Sequence, residues 1–127
     1  MRIELTSLLV DDQEKALRFY TEVLGFVKKH DVPMGEFRWL TVTSPEGAEG
    51  VEVVLEPNQH PAAKEFQSRM FADGIPLTSF GSSDIHAECD RLKSRGVVFR
   101  SGPAQAGPVW VALFEDTCGN LIQLHQA

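Results

Sequence analysis

The chain is one unit written twice. Leu5 to Phe26 reads LTSLLVDDQEKALRFYTEVLGF, and Leu77 to Val98 reads LTSFGSSDIHAECDRLKSRGVV. Both open Leu-Thr-Ser and place an aspartate seven positions on, at Asp12 and Asp84. Both then run a helical pattern to a glycine, Gly25 or Gly96, followed by an apolar β-type stretch. The echo continues with Trp39 in FRWLTVTSPEG against Trp110 in PVWVALFEDTCG. GVEVVLEP, Gly50 to Pro57, is answered by GNLIQLHQ, Gly119 to Gln126. Five ordered correspondences at an offset of about seventy residues mean that the fold is assembled from two copies of one supersecondary unit.

That unit can be read in order. Arg2 to Val10 is rich in β-formers, with Leu5, Ser7 and Leu9 on one strand face and Thr6, Leu8 and Val10 on the other. Asp11 opens a helix with a capping-box-like Asp-x-x-Glu ending at Glu14. Ala16, Leu17, Tyr20, Val23 and Leu24 recur at helical spacing, and Gly25 suits a left-handed stop. Strands are expected at Phe26 to His30, Phe37 to Thr43 and Val51 to Leu55, separated by the turn DVPMGE and the loop SPEGAEG. A connector helix is expected from Pro61 to Phe71, ended by Asp73-Gly74. The second copy has a strand near Leu77 to Gly81 and a helix from Asp84 to Arg95 with Ile85, Cys89 and Leu92 inward. Its remaining strands are expected at Val97 to Ser101, Pro108 to Phe114 and Asn120 to His125, with SGPAQAGP as a loop. This predicts an α+β fold of two tandem βαβββ modules in a single domain over 1–127: module one 1–57, connector 58–75, module two 76–127.

A chain of 127 residues buries a sizeable core. Its net charge of −6 and scattered Lys and Arg argue against a nucleic-acid surface. No apolar run reaches membrane-spanning length and no leader is visible, so no membrane partner and a cytoplasmic location are expected. Cys89 and Cys118 lack metal-finger spacing. Cys89 falls on the inward helical stripe, whereas Cys118, in the turn DTCGN, is expected to be exposed.

AxxFYxxVLGF (Ala16, Phe19, Tyr20, Val23, Leu24, Gly25, Phe26) and D-x-x-G-N-L-I-x-L (Asp116, Gly119, Asn120, Leu121, Ile122, Leu124) resemble the vicinal oxygen chelate superfamily. That group includes glyoxalase I, bleomycin-resistance proteins and extradiol dioxygenases. The resemblance covers nearly the whole chain and speaks for the fold more than for the reaction, since one scaffold hosts many chemistries. It implies curved mixed sheets that enclose a pocket, helices on the outer faces, and a homodimer.

It also implies where a metal would sit. Metal-bearing members take one ligand from the first strand and one from the last strand of each module. The ion binds two substrate oxygens and stabilises the anion that forms. Projected here, those positions are Leu5 and Leu77, seven before Asp12 and Asp84, and Val54 and Gln123 on the last strands. Leu and Val cannot coordinate, and Gln is a weak neutral ligand, so no metal cofactor is expected at the usual place. A one-residue slip offers Glu4 or Thr6 and Val53 or Leu55, which is no better. A displaced set is the alternative. Glu52 and Glu56 share Val54's face and His125 shares that of Gln123, so Glu56, Gln123 and His125 are candidate ligands or acid–base groups.

The bland readings stand beside these. Glu56 is otherwise an exposed strand-end carboxylate and His125 a solvated near-terminal histidine. Trp39 and Trp110, placed as equivalents by the repeat, are either an aromatic wall or core under the helices. Arg38 alternates to the opposite face from Trp39 and is a candidate cation for a carboxylate-bearing ligand. His60 belongs to the connector's entry loop or overhangs the pocket, and His30 and His86 read as surface positions. Ser7 and Ser79 are equivalent pocket-facing hydroxyls with no nucleophile elbow and no evident base. A small organic molecule held by Leu5, Ser7, Arg38, Val54, Glu56, Leu77, Ser79, Gln123 and His125 is the expected function. A glyoxalase-type lyase, isomerase or dioxygenase using a divalent metal is the alternative.

Overall fold

Each half of the chain lays down a strand, a helix and three further strands, in the order that the repeat predicts. A computed structural model describes residues 1–127. The first module comprises β1 (Leu5–Val10), α1 (Gln13–Arg18), β2 (Val27–Met34), β3 (Phe37–Thr43) and β4 (Glu52–Pro57). Helix α2 (Pro61–Ala72) leads to β5 (Thr78–Gly81), α3 (Ile85–Ser94), β6 (Phe99–Ala106), β7 (Val109–Glu115) and β8 (Leu121–Gln126). The sheets run β1-β4-β3-β2 and β5-β8-β7-β6. In each the first strand pairs parallel with the last and the other pairs are antiparallel, which gives two mixed four-stranded sheets, neither of them closed. The compact units are Met1–Lys64 and Glu65–Ala127. No helix is long and apolar enough to cross a membrane.

One face of each sheet is covered by its own helix. In the first unit Leu8, Val10, Ala16, Tyr20, Leu40, Val42 and Leu55 are buried. In the second, Ile85, Cys89 and Leu92 on α3 pack as the helical spacing predicts, with Ala112, Phe114, Ile122 and Leu124 also buried. Each fully buried Leu, Ile, Val or Phe contributes about 1.5–3 kcal/mol, so these strips dominate the stability of each unit.

The first helix departs from the predicted pattern in two ways. Its N-cap is Asp12 rather than Asp11: the Asp12 carboxylate accepts the Lys15 N–H at 3.0 Å, as Asp84 accepts that of Ala87 at 3.1 Å. That backbone hydrogen bond holds Asp12 below the usual carboxylate range. Asp11 pairs instead with the Lys15 side chain, and Glu14, released from a capping box, turns to Arg38. The helix then widens into a π-turn over Phe19–Val23, with the Leu24 N–H donating to Phe19 O at 3.0 Å. The inserted residue turns both Phe19 and Tyr20 inward, where simple helical spacing buries only Tyr20. Gly25 ends it at φ +90°, and Gly96 ends α3 at φ +86°.

Strands β2 and β6 are longer than local composition suggests. DVPMGE contracts to a turn at Gly35 and Glu36, and much of SGPAQAGP is strand. Hairpin pairing with β3 and β7 satisfies the backbone of these Pro- and Gly-bearing stretches and overrides their weak β-propensity. β6 pays for this with two register shifts around Gly102. A Cβ there would lie 2.5 Å from Val111 O and 2.6 Å from Ala112 Cα, so only glycine lets the strands approach.

Cys118 is fully buried, contrary to expectation. The turn that carries it folds onto the buried Asp116 carboxylate. Asp116 Oδ1 accepts the N–H groups of Cys118 (2.8 Å) and Asn120 (3.0 Å), and Oδ2 accepts Asn120 Nδ2 at 2.7 Å. Gln67 of α2 donates to Asn120 Oδ1 (2.9 Å) and Cys118 O (3.1 Å), which ties the helix to the turn. The D-x-x-G-N motif is therefore a structural device.

Candidate functional site

The helix-free face of the first sheet carries Leu5, Ser7 and Leu9 of β1, Glu52, Val54 and Glu56 of β4, and Trp39 and Thr41 of β3. Register places Leu5 beside Glu52, Ser7 beside Val54, and Leu9 beside Glu56. Thr41 lies beside Val54 on the other side. From β2 the face receives His30, opposite Thr41, and Val32, opposite Trp39. Leu5 and Val32 are 48% and 50% exposed, whereas Val54 and Thr41 are buried. The face is apolar at Leu5, Val32, Trp39 and Val54, with a polar stripe between.

That stripe is built around Glu52. Its Oε1 accepts the Thr41 hydroxyl at 2.8 Å and lies 2.9 Å from His30 Nδ1, and Oε2 lies 3.3 Å from Lys29 Nζ. The His30 backbone N–H donates to Thr41 Oγ1 at 3.1 Å. The Thr41 hydroxyl, then His30 and Lys29, hold the Glu52 carboxyl below its usual range, against the desolvation that would raise it. A register shift in β2 between Lys28 and His30 brings two consecutive side chains, Lys29 and His30, to this one carboxylate. Beside it, Ser7 Oγ donates to Glu56 Oε1 at 3.0 Å.

The second unit repeats the serine pairing with different chemistry. Ser79 lies beside Gln123, and Gly81 beside His125. Ser79 Oγ is 2.7 Å from His125 Nδ1 and accepts from Gln123 Nε2 at 3.0 Å. Ser79 Oγ therefore takes one hydrogen bond from the Gln123 amide and shares a second with His125 Nδ1, in which the imidazole tautomer sets the donor. Ser79 thus does have a basic neighbour, which the spacing in sequence did not reveal. Leu77 sits just ahead of β5, half-buried, its N–H bonded to Leu121 O.

Other residues singled out from the sequence lie elsewhere. Arg38 is on the helix side of β3. Its guanidinium donates twice to Asp31 (2.9 and 2.7 Å) and once to Glu14 (2.7 Å), and Gln13 of α1 clasps its backbone. Those partners push the Arg38 pKa up, and the Arg38 hydrogen bonds hold Asp31 below the usual range. His60 Nδ1 accepts the Ala62 N–H at 3.1 Å and serves the start of α2. His86 packs edge-on to Trp110, with centroids 4.9 Å apart.

The two tryptophans are not equivalent. Thr41 pairs with Val54 and Leu113 with Gln123, so the true counterpart of Trp39 is Val111, and that of Trp110 is Arg38. A one-residue slip in a strand exchanges faces. Trp110 lies under α3 against His86, and Trp39 lies on the helix-free face. The Arg38–Glu14 ion pair and the Trp110–His86 contact are the same inter-element junction in two chemistries.

The positions that the family resemblance assigns to a divalent ion do not fit one. Leu5, Val54 and Leu77 offer no donor atom, Gln123 is already bonded to Ser79, and no three His, Cys, Asp or Glu side chains converge. Glu56 and His125 fall in different units, each bonded to its own serine.

Comparison with known proteins fits this geometry. The chain is 56% identical over 126 residues to the uncharacterized protein YurT of Bacillus subtilis, covering 99% of each. It is 31% identical to a probable lactoylglutathione lyase of Synechocystis, covering 95% of this chain and 92% of that one. Among solved structures, UcmS2 superposes with a TM-score of 0.84 at 31% identity, covering 98% of this chain and 97% of that one. TnmS3, described as an antibiotic binding protein from Streptomyces sp. CB03234, superposes at 0.77 with 35% identity, covering 99% and 95%. With residues 2–124 matching the family model and both βαβββ modules in place, the chain belongs to the Glyoxalase/Bleomycin resistance protein/Dioxygenase superfamily.

Proposed function

We propose that this protein binds a small organic molecule on the helix-free faces of its sheets, without the divalent ion on which the metal-dependent chemistry of its superfamily depends. The observation that carries the reading is the donor set: Leu5, Val54, Leu77 and Gln123 occupy the positions that the resemblance assigns to ion ligands. The antibiotic binding protein from Streptomyces, at 35% identity, supports it. Trp39, Val32 and Leu5 make the first face a surface for a planar, largely apolar ligand. The net charge of −6 is compatible with a ligand that is also cationic.

The test has two parts. Elemental analysis of untagged protein, after chelation and re-addition of Ni, Zn, Mn and Fe, is expected to find no ion retained near one per chain. Quenching of tryptophan fluorescence by a panel of planar aromatic antibiotics is expected in the wild type and absent in Leu5→Arg, whose exposed position tolerates the change. One tightly held ion per chain, released by Gln123→Ala or His125→Ala, would overturn the reading in favour of a metal-dependent lyase, isomerase or dioxygenase using a displaced ligand set.

A further inference from the structure

The cluster around Glu52 asks for an explanation that the fold does not supply. Counting from the pairs Thr41–Val54 and Leu113–Gln123, the second module has Leu113 in place of Thr41, Leu121 in place of Glu52 and Ser101 in place of His30. Leu121 is 1% exposed. The equivalent place in the second sheet is therefore filled by a buried leucine. An ionised carboxylate whose side chain is only 13% exposed is a costly substitute for such a residue. Its partners fit a purpose. A carboxylate only accepts hydrogen bonds, so the ring nitrogen 2.9 Å from Glu52 Oε1 carries the proton. The neutral imidazole of His30 is therefore the Nδ1–H tautomer. Its Nε2 has a free lone pair, and the side chain, 45% exposed, sits on the face that also holds Trp39.

We infer that His30 Nε2, oriented by Glu52, is the proton-accepting group for a bound ligand, and that the ligand is planar and bears an acidic hydroxyl of the phenol or enol class. The ligand's O–H bond breaks, its electron pair stays on oxygen, and the proton passes to Nε2. Glu52 stabilises the imidazolium that results, in the way a carboxylate stabilises a catalytic histidine. Thr41 and Lys29 are positioning residues: Thr41 fixes both the His30 backbone and the Glu52 carboxylate, and Lys29 holds the second carboxylate oxygen. This reading rests on the small-molecule binding proposed above.

Two measurements test it. The first needs no ligand. Long-range proton–nitrogen correlation spectra of imidazole-labelled protein, in alkaline buffer, are expected to show His30 as the Nδ1–H tautomer in the wild type. In Glu52→Leu, which copies Leu121 and should fold, that preference is expected to vanish. A wild-type His30 in the Nε2–H tautomer overturns the inference whatever the protein binds.

The second uses 7-hydroxycoumarin and 4-nitrophenol, planar phenols whose neutral and ionised forms absorb differently. Below the pH at which the free probe ionises, the wild type is expected to bind it with the phenolate band. His30→Gln and Glu52→Leu are expected to lose that band and bind about tenfold more weakly, as for loss of one hydrogen bond to a charged group. If the wild type quenches but shows only the neutral band, or His30→Gln matches it, the proton-acceptor role fails and the binding reading stands. If no probe quenches the wild type, binding of this ligand class fails, and the inference with it.

Discussion

Replacing Asp116 with alanine should be among the most damaging single changes in the second unit, although the residue lies in a turn. Its carboxylate is fully buried and accepts the Cys118 N–H at 2.8 Å, the Asn120 N–H at 3.0 Å and Asn120 Nδ2 at 2.7 Å. Alanine strands these three donors. A buried group left unsatisfied costs about 1–3 kcal/mol. The turn can open to water and recover part of this, which brings the expected loss to about 3–5 kcal/mol, against domain stabilities on the order of 5–15 kcal/mol. Opening the turn also frees Asn120 from its position under Gln67, so α2 loosens with it. Urea unfolding followed by far-UV circular dichroism should show a lower midpoint at unchanged slope. Labelling of the Cys118 thiol with a chromogenic disulfide should accelerate in the same variant. Asp116→Asn keeps the shape but sets an amide NH2 against that of Asn120, and should cost about 2 kcal/mol. A loss under about 1 kcal/mol in Asp116→Ala, with Cys118 as unreactive as in the wild type, would refute the view that this carboxylate organises the turn.

Other outcomes follow from the same accounting. Gly102→Ala should destabilise by about 3 kcal/mol or more, because its Cβ would meet Val111 O at 2.5 Å and φ is +85°; a thermal midpoint within a degree of wild type would show that β6 and β7 can part there without cost. The lowered carboxyl of Glu52 stabilises the fold at pH values above its ordinary 4.5, and this contribution is lost as pH falls through its lowered folded value. Glu52→Leu should therefore show a shallower decline in stability on acidification from pH about 5 downward, and a decline of urea midpoint with pH as steep as that of the wild type would contradict the assignment of this carboxylate as paired and ionised.

Much of this protein is legible in its residues, for an identifiable reason. Helical and strand periodicities are local, and the inward stripe of Ile85, Cys89 and Leu92 needs no knowledge of what it packs against. The internal repeat multiplies weak local signals, so two βαβββ modules and their strand order could be argued before any contact was known. The expectation of no ion at the usual place likewise joins the family resemblance, which assigns the ligand positions to Leu5, Val54, Leu77 and Gln123, to the chemistry of those side chains. Other features are decided by pairing between distant strands, and there sequence spacing misleads. Trp39 and Trp110 look like equivalents and lie on opposite faces, because a slip of one residue in register inverts every side chain. His30 is the surface position that the sequence suggests, but nothing in VKKHDV announces the shift in β2 that brings Lys29 and His30 to one carboxylate. Cys118 reads as exposed because a turn is judged by its composition, whereas its burial depends on Asp116 and on Gln67, far away in the chain. Composition and period determine which elements form; long-range register determines which side chains meet, and in this protein the candidate chemistry depends on that second step.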